Sequence, residues 1–286
     1  MAPLLMRFAD SGPAVHVAPA GALHLWGWTI TNSILYGWAA TLLLTILLVW
    51  AAKRATLRPK RGPLQFVEIG VEFIGNLVMN AFDDKKVARK YAPVFITIFF
   101  FIILNNWLGL LPFVGEGFQR GDNPLLRPFT GDLNGTFAIG LFTMVFVYAA
   151  SIKESGGVIK YLRHFFIGSP KNPLFFIIGV LEMLTDLTRV VSLSLRLFLN
   201  VSIGEILIAV FAYLGHVAAP LTALPFTLLE IFVGALQAYI FVVLSTMYLA
   251  IAVNHTQHDA EHDAERLTED DQPETIGVSH PAGAKG

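Results

Sequence analysis

Residues Val190–Glu205 read VVSLSLRLFLNVSIGE, and this stretch decides the fold. From Val190 to Gly204 the only charge is Arg196. A run this apolar belongs in a membrane or a deep core. A charged side chain at a bilayer centre costs at least ~2.5 kcal/mol, so a purely structural helix would avoid one. The neighbours of Arg196 are ordered as well. Glu182, Thr185, Arg189, Ser192, Arg196 and Asn200 follow one another at spacings of 3, 4, 3, 4 and 4. At about 100° per residue all six fall within roughly 40° of Arg196, a polar stripe on a greasy helix. Glu205 lies about half a turn away and is expected to face a different neighbour. Lys and Arg near helix ends can snorkel to the headgroups. That alternative fits Arg189 and Glu182 better than Arg196, which has apolar residues on both sides.

Composition places the whole chain in the same class. Of 286 residues, 55% are hydrophobic and 14% charged, and the mean hydropathy is +0.61. Soluble domains of this size rarely reach such values. A net charge of −1 provides no basic field for nucleic acid. With no cysteine there can be no disulfide, thiolate-bound iron–sulfur cluster or thiol catalysis. The first 24 residues show neither a cleaved signal nor a transit peptide and are read as an outer N-terminal segment.

Outward from the central stretch, hydropathy marks the other spans. Leu25–Ala52 carries no charge and is long enough to cross a bilayer core of ~30 Å. The loop after it holds Lys53, Arg54, Arg58, Lys60 and Arg61, which predicts a cytoplasmic loop and an outside N-terminus. Leu64–Phe82 interleaves Glu68 and Glu72 with apolar residues and reads as an amphipathic surface helix. Tyr91–Val114 is the second span, with Asn105 and Asn106 near its outer end. Buried Asn pairs often join helices. A Gly/Pro-rich outer loop, residues 115–132, carries two basic and three acidic side chains, Arg127 among them. Leu133–Ile152 is the third span. Pro173–His216 would reach ~65 Å as one helix and must tilt steeply or lie partly in the membrane plane. Pro220 and Pro225 are expected to form the outer turn. Phe226–Val253 then returns with Glu230 and Gln237 on one face.

The expectation is an all-α membrane protein: about five membrane-embedded helices and one surface helix, the last two long, strongly tilted and paired as a hairpin. The membrane domain spans 25–253. Residues 254–286 hold eight acidic residues, four His and two basic ones and read as a disordered cytoplasmic tail. The mixture HTQHDAEHD in that tail is ordinary for such a segment, and no metal site is assigned to it.

No phosphate-binding loop, zinc motif or Ser/His/Asp set is present, so no catalytic residue and no cofactor are assigned within this chain. What remains is a set of intramembrane ionisable groups: Arg196, Glu205 and Glu230. In a hairpin the two carboxylates reach similar depth, and two carboxyls in low dielectric tend to share protons. That suits a proton relay open to the outside. It is also compatible with carboxyls paired to groups on other chains.

These motifs resemble a known family. SLSLRLFLN…GE followed by LLEIFVGALQAYIFVVLSTMYL is similar to the signature region of subunit a of the F-type ATP synthase membrane sector. NNWLGLLPF, GDLNGTFAIGL and VLEMLTDLTRVVSLSLRLF extend the likeness over roughly residues 25–253. The resemblance implies a proton-conducting stator subunit in a bacterial plasma membrane, offering two offset half-channels to a ring of c subunits. It implies further partners in the peripheral-stalk b subunits and the rest of the F1Fo complex. Arg196 would be the stator arginine, beside Ser192 and Asn200. Glu205, Glu230 and Gln237, with Asn106, Asp132 and Asn134, match the outer half-channel. Glu182, Thr185 and Arg189 match the inner side. Many relatives carry a histidine at one of the positions matched here by Glu205 and Glu230, whereas this chain has Glu at both. The competing reading is a stand-alone ion-coupled transporter, which would show internal repeats and broken helices. An antiporter-like subunit of a redox pump would show Lys or Glu in several broken helices.

Overall fold

The computed structural model describes residues 21–25, 28–54, 62–111, 114, 119–120, 123–124, 127–154, 157 and 173–270. Among them are six α-helices: α1 (Asn32–Arg54), α2 (Pro63–Ala81), α3 (Lys85–Gly109), α4 (Leu133–Glu154), α5 (Pro173–Gly215) and α6 (Ala219–Asp270). All but α2 are long and apolar enough to cross a membrane. The all-α membrane architecture expected from the sequence is therefore the one observed. Two short antiparallel strand pairs accompany it, β1 (Gly21–Leu25) with β2 (Trp28–Thr31) and β3 (Gln119–Arg120) with β4 (Asn123–Pro124).

The first span begins later than Leu25. Leu25 faces Trp28 and His24 faces Thr29 across a hairpin, and the helix starts only at Asn32. Thr29, Ile30 and Thr31 are β-branched and favour the extended form. Within α1, Ser33, Gly37, Ala40 and Leu44 are buried while Trp38, Leu42 and Ile46 are exposed. In water such exposure would be a liability, but in lipid these are the side chains the solvent prefers.

Helix α2 starts on a proline, which has no N–H to leave unpaired. It buries Ile74 and Val78 and leaves Phe66, Ile69 and Phe73 exposed, the one-sided pattern of a surface helix. Lys85 donates from Nζ to the Met79 carbonyl near the end of α2, and Asp84 caps α3 by accepting the Lys86 N–H at 2.7 Å. At this end of the bundle Lys90 and Tyr91 of α3 both donate to Glu154 of α4, tying the two helices together. The aliphatic and aromatic core lies between α2, α3, α4 and the middle of α5 and α6, with Phe95, Ile102, Leu197 and Phe241 fully buried.

Helices α5 and α6 form a hairpin, but its turn is not at the prolines. The reversal is a short 3₁₀ turn, His216–Ala218, in which His216 takes a φ of 44°. Pro220 falls in the first turn of α6, where a missing N–H costs nothing, and Pro225 lies inside the helix. Phe211 stacks on Phe226 at 3.7 Å, and Thr222 donates to the Phe211 carbonyl at 2.8 Å, which locks the two arms. At its other end α6 does not stop at Val253. The helix continues through Asp270. Residues 254–272 contain no Gly or Pro. Extending a nucleated helix fixes one residue per bond, far easier than starting one. Residues 271–286 lie outside the described residues.

Candidate functional site

Two clusters of polar side chains sit within this apolar bundle. The first surrounds Arg196. Ser192, Arg196 and Asn200 line one groove of about 750 Å³ on the face of α5, together with Thr188 and with Gln237 of α6. The wheel argument thus places its central members correctly. Arg196 is exposed on the bundle face, and the walls beside it are Leu187, Val191, Leu195 and Leu199, all exposed. Among the described residues no carboxylate lies within ion-pair distance of Arg196. Asn200 Nδ2 and Gln237 Nε2 are buried and have no hydrogen-bond partner among the described residues. A smaller cavity of about 380 Å³ continues along α5 past Arg189 and Ser192 to Leu244 and Tyr248. Here Arg189 is half-buried, with its guanidinium 4.6 Å from the centre of the Tyr248 ring. Such a cation–π contact ties the guanidinium of α5 to the aromatic face of α6. Thr185 is exposed and donates to the Leu181 carbonyl of its own helix. The side chain of Glu182 lies outside the described residues.

The second cluster lies towards the hairpin end. It is organised by the segment 127–132, which includes a 3₁₀ turn, Phe129–Gly131. This turn touches α1, α3, α4 and α5 at once. Two glycines let Phe129 in: a Cβ on Gly37 would lie 2.7 Å from its ring, and one on Gly135 would meet its carbonyl at 2.5 Å. Glu205 and Glu230 belong here. Glu230 is buried, and its carboxylate rests directly on Gly204 of α5, occupying the space a Cβ there would need. Glu205 is half-buried, with its Oε1 3.4 Å from where a Cβ on Gly131 would stand. The two acids thus sit on the facing arms of the hairpin, Glu230 against Gly204 and Glu205, the next residue, beside Gly131. Glu230 and Gln237 are both buried, as their seven-residue spacing on one helix face requires.

The other matched residues have structural partners. Asn106 donates from Nδ2 to the Gly234 carbonyl at 3.0 Å and so joins α3 to α6. Asp132 is buried and accepts the Asn134 N–H at 3.0 Å, which caps α4. Asn134 itself is exposed, and what it contributes to that contact is its backbone. Buried oxygens of Thr31, Ser33, Asn106, Thr130 and Ser202 lack a hydrogen-bond partner among the described residues. Buried polar atoms are rarely left unsatisfied, and in a site this polar water is the natural partner.

Three residues escaped the reading of the sequence. Thr188 and Tyr248 look like ordinary members of apolar helices. Arg127 looks like one charge of a polar loop, yet it is only 5% exposed and donates from Nη2 to the Gly131 carbonyl at 2.9 Å. The available signal was its setting, LLRPF, with apolar residues on both sides.

Fold and clusters together define a multi-pass membrane protein with ionisable groups inside and on the face of its bundle. Residues 34–250 match the family described as ATP synthase A chain, and the protein belongs to that family. The chain is 33% identical over 246 residues to ATP synthase subunit a of Anaeromyxobacter dehalogenans (strain 2CP-C), covering 82% of this chain and 60% of that one. It is 34% identical over 223 residues to ATP synthase subunit a of Sulfurihydrogenibium sp. (strain YO3AOP1), covering 77% and 97%. With ATP synthase subunit a of Myxococcus xanthus (strain DK1622) it shares 30% over 287 residues, covering 97% and 87%.

Proposed function

We propose that this chain is the proton-conducting stator subunit of a rotary ATP synthase in a bacterial plasma membrane. One observation carries the reading: Arg196 stands exposed in an apolar groove, with no carboxylate partner among the described residues. An arginine left so in lipid costs ~2.5–3.5 kcal/mol or more. A carboxylate supplied by another chain removes that cost, and a ring of c subunits supplies one after another. The exposed Leu187, Val191, Leu195 and Leu199 form the apolar seat for such a ring. The peripheral-stalk b subunits, the rest of the F1Fo complex and lipid complete the partners.

The mechanism follows from the two clusters. A proton enters at the hairpin end, taken as the outside, and reaches Glu205 and Glu230. It then neutralises a ring carboxylate, which can turn into lipid at low cost. After nearly a full turn that carboxyl meets an inner half-channel along Arg189, Thr185 and Glu182 and loses its proton. Arg196, with Ser192, Asn200 and Gln237 beside it, pairs with the bare carboxylate and keeps the two half-channels apart. One charge crossing 100 mV releases about 2.3 kcal/mol, so several are needed for each nucleotide made.

The test is Arg196→Ala in the assembled complex. Coupled ATP synthesis should vanish, while membranes stripped of the catalytic head should still conduct protons passively. Arg196→Lys should also impair coupling, because a lysine can deprotonate when buried and lacks the planar fork of donors. Normal synthesis in the Ala variant would refute the stator role.

A further inference from the structure

One motif of the sequence plays no part in the mechanism above: HTQHDAEHD, residues 255–263. In an unstructured segment it is only a mixture of imidazoles and acids. The fold gives it a register. Val253 is the last residue of α6 in the hydrophobic core, and the helix runs on through Asp270. The motif therefore lies on a helix that has just left the bundle.

Helical register sorts the motif. Counted from His255, the residues His255, His258, Asp259 and His262 stand at positions 0, 3, 4 and 7. At about 100° per residue they fall within roughly 100° of one another, on a single face. Every member of that patch is of a type that binds metals. Along the same face it is bounded by Ile251 before and Arg266 after. An extended chain, with its period of two, would put His255 on the opposite side from His258 and His262. On a helix, residues three or four apart have Cβ atoms only ~5–6 Å from one another. His258 and His262 are four apart, the spacing at which two histidines on one helix face hold a zinc ion. His255 and Asp259 repeat that spacing and border the pair.

We propose that His258 and His262 form a binding site for a divalent transition cation of the zinc type, with His255 and Asp259 beside them to complete its ligands. Imidazole suits such ions, whereas Mg²⁺ and Ca²⁺ take oxygen ligands. A site made of successive helical turns does not exist in the coil, so the ion favours the helical form of the segment. It would stiffen α6 where the helix emerges from the bundle. In the membrane bundle, among the described residues, no three His or acidic groups stand together to hold an ion, so no rival site is expected there.

The experiment titrates Zn²⁺ alone, by calorimetry, into the detergent-solubilised full chain purified without a histidine tag. Saturable binding is expected. His258→Ala and His262→Ala should each weaken it by about tenfold or more, because losing even an outer-shell partner of a metal costs about 10–100-fold. His280→Ala, beyond the end of α6, should leave it unchanged. The deciding variant exchanges two residues, His262→Ala with Ala260→His. Composition is kept, but the histidine moves to two places after His258, about 200° round the helix. Its affinity should fall as in His262→Ala. Wild-type affinity in the exchanged variant would mean chelation by a flexible tail and would overturn the helical site. So would wild-type affinity in His258→Ala or His262→Ala, a loss in His280→Ala as large as theirs, or a wild-type chain that binds no Zn²⁺.

Discussion

Gly204→Ala tests the contact on which the carboxylate site depends. The added methyl would occupy the space now held by the Glu230 carboxylate. Non-bonded heavy atoms rest about 3.5–4 Å apart, so the carboxylate must retreat by more than an ångström. Two responses are open. Glu230 can leave its rotamer, at about 0.5–1.5 kcal/mol for a ~30° departure. Alternatively α5 and α6 can separate, at the 1–3 kcal/mol typical of overpacking. The obstacle is the end of a flexible side chain and the hairpin is locked by Phe211, Phe226 and Thr222, so the first response wins. Stability is then nearly retained while the acid is misplaced. A ~1 Å misplacement of a reacting group can cost up to about 10²-fold in rate. The expected result is ATP-driven pumping reduced tenfold or more at an undiminished amount of assembled complex. Gly75→Ala is the control, since a Cβ there meets only Ile96 Cδ1 at 4.0 Å. Normal pumping in Gly204→Ala would refute the placement of Glu230 on the proton path.

Two further outcomes are expected. Asn106→Leu removes the bond to the Gly234 carbonyl and should lower the melting temperature of the detergent-solubilised complex, by an amount fitting the ~0.6–2 kcal/mol of an interhelical bond; an unchanged melting temperature would leave the α3–α6 contact to packing alone. The basic loop Lys53–Arg61 predicts that a tag placed after Gly286 lies in the cytoplasm, so labelling of that tag by an impermeant reagent on intact cells would reverse the proposed orientation.

How much could be read from the chain follows from the range of each cause. Spans are local: a run of apolar residues with no charge needs lipid wherever it sits, so five membrane helices and the one-sided α2 were legible. The face shared by Ser192, Arg196 and Asn200 was equally local, because helical periodicity alone puts them in one groove. Composition misled where context overrides it. Pro220 and Pro225 signal a turn by themselves, yet both are accommodated within α6 and the chain reverses just before them.

The sequence by itself determined that a charged stripe runs down a membrane helix and that two carboxylates share a hairpin. Only the tertiary structure decided what those carboxylates touch. Glu230 lies on Gly204 because α5 and α6 meet at a residue with no side chain. Arg127 became part of the site because the turn Phe129–Gly131 inserts among four helices, through gaps left by Gly37 and Gly135. The physical reason is that the burial of a loop charge depends on helices that come from distant parts of the chain, and no local pattern encodes which atoms will surround it.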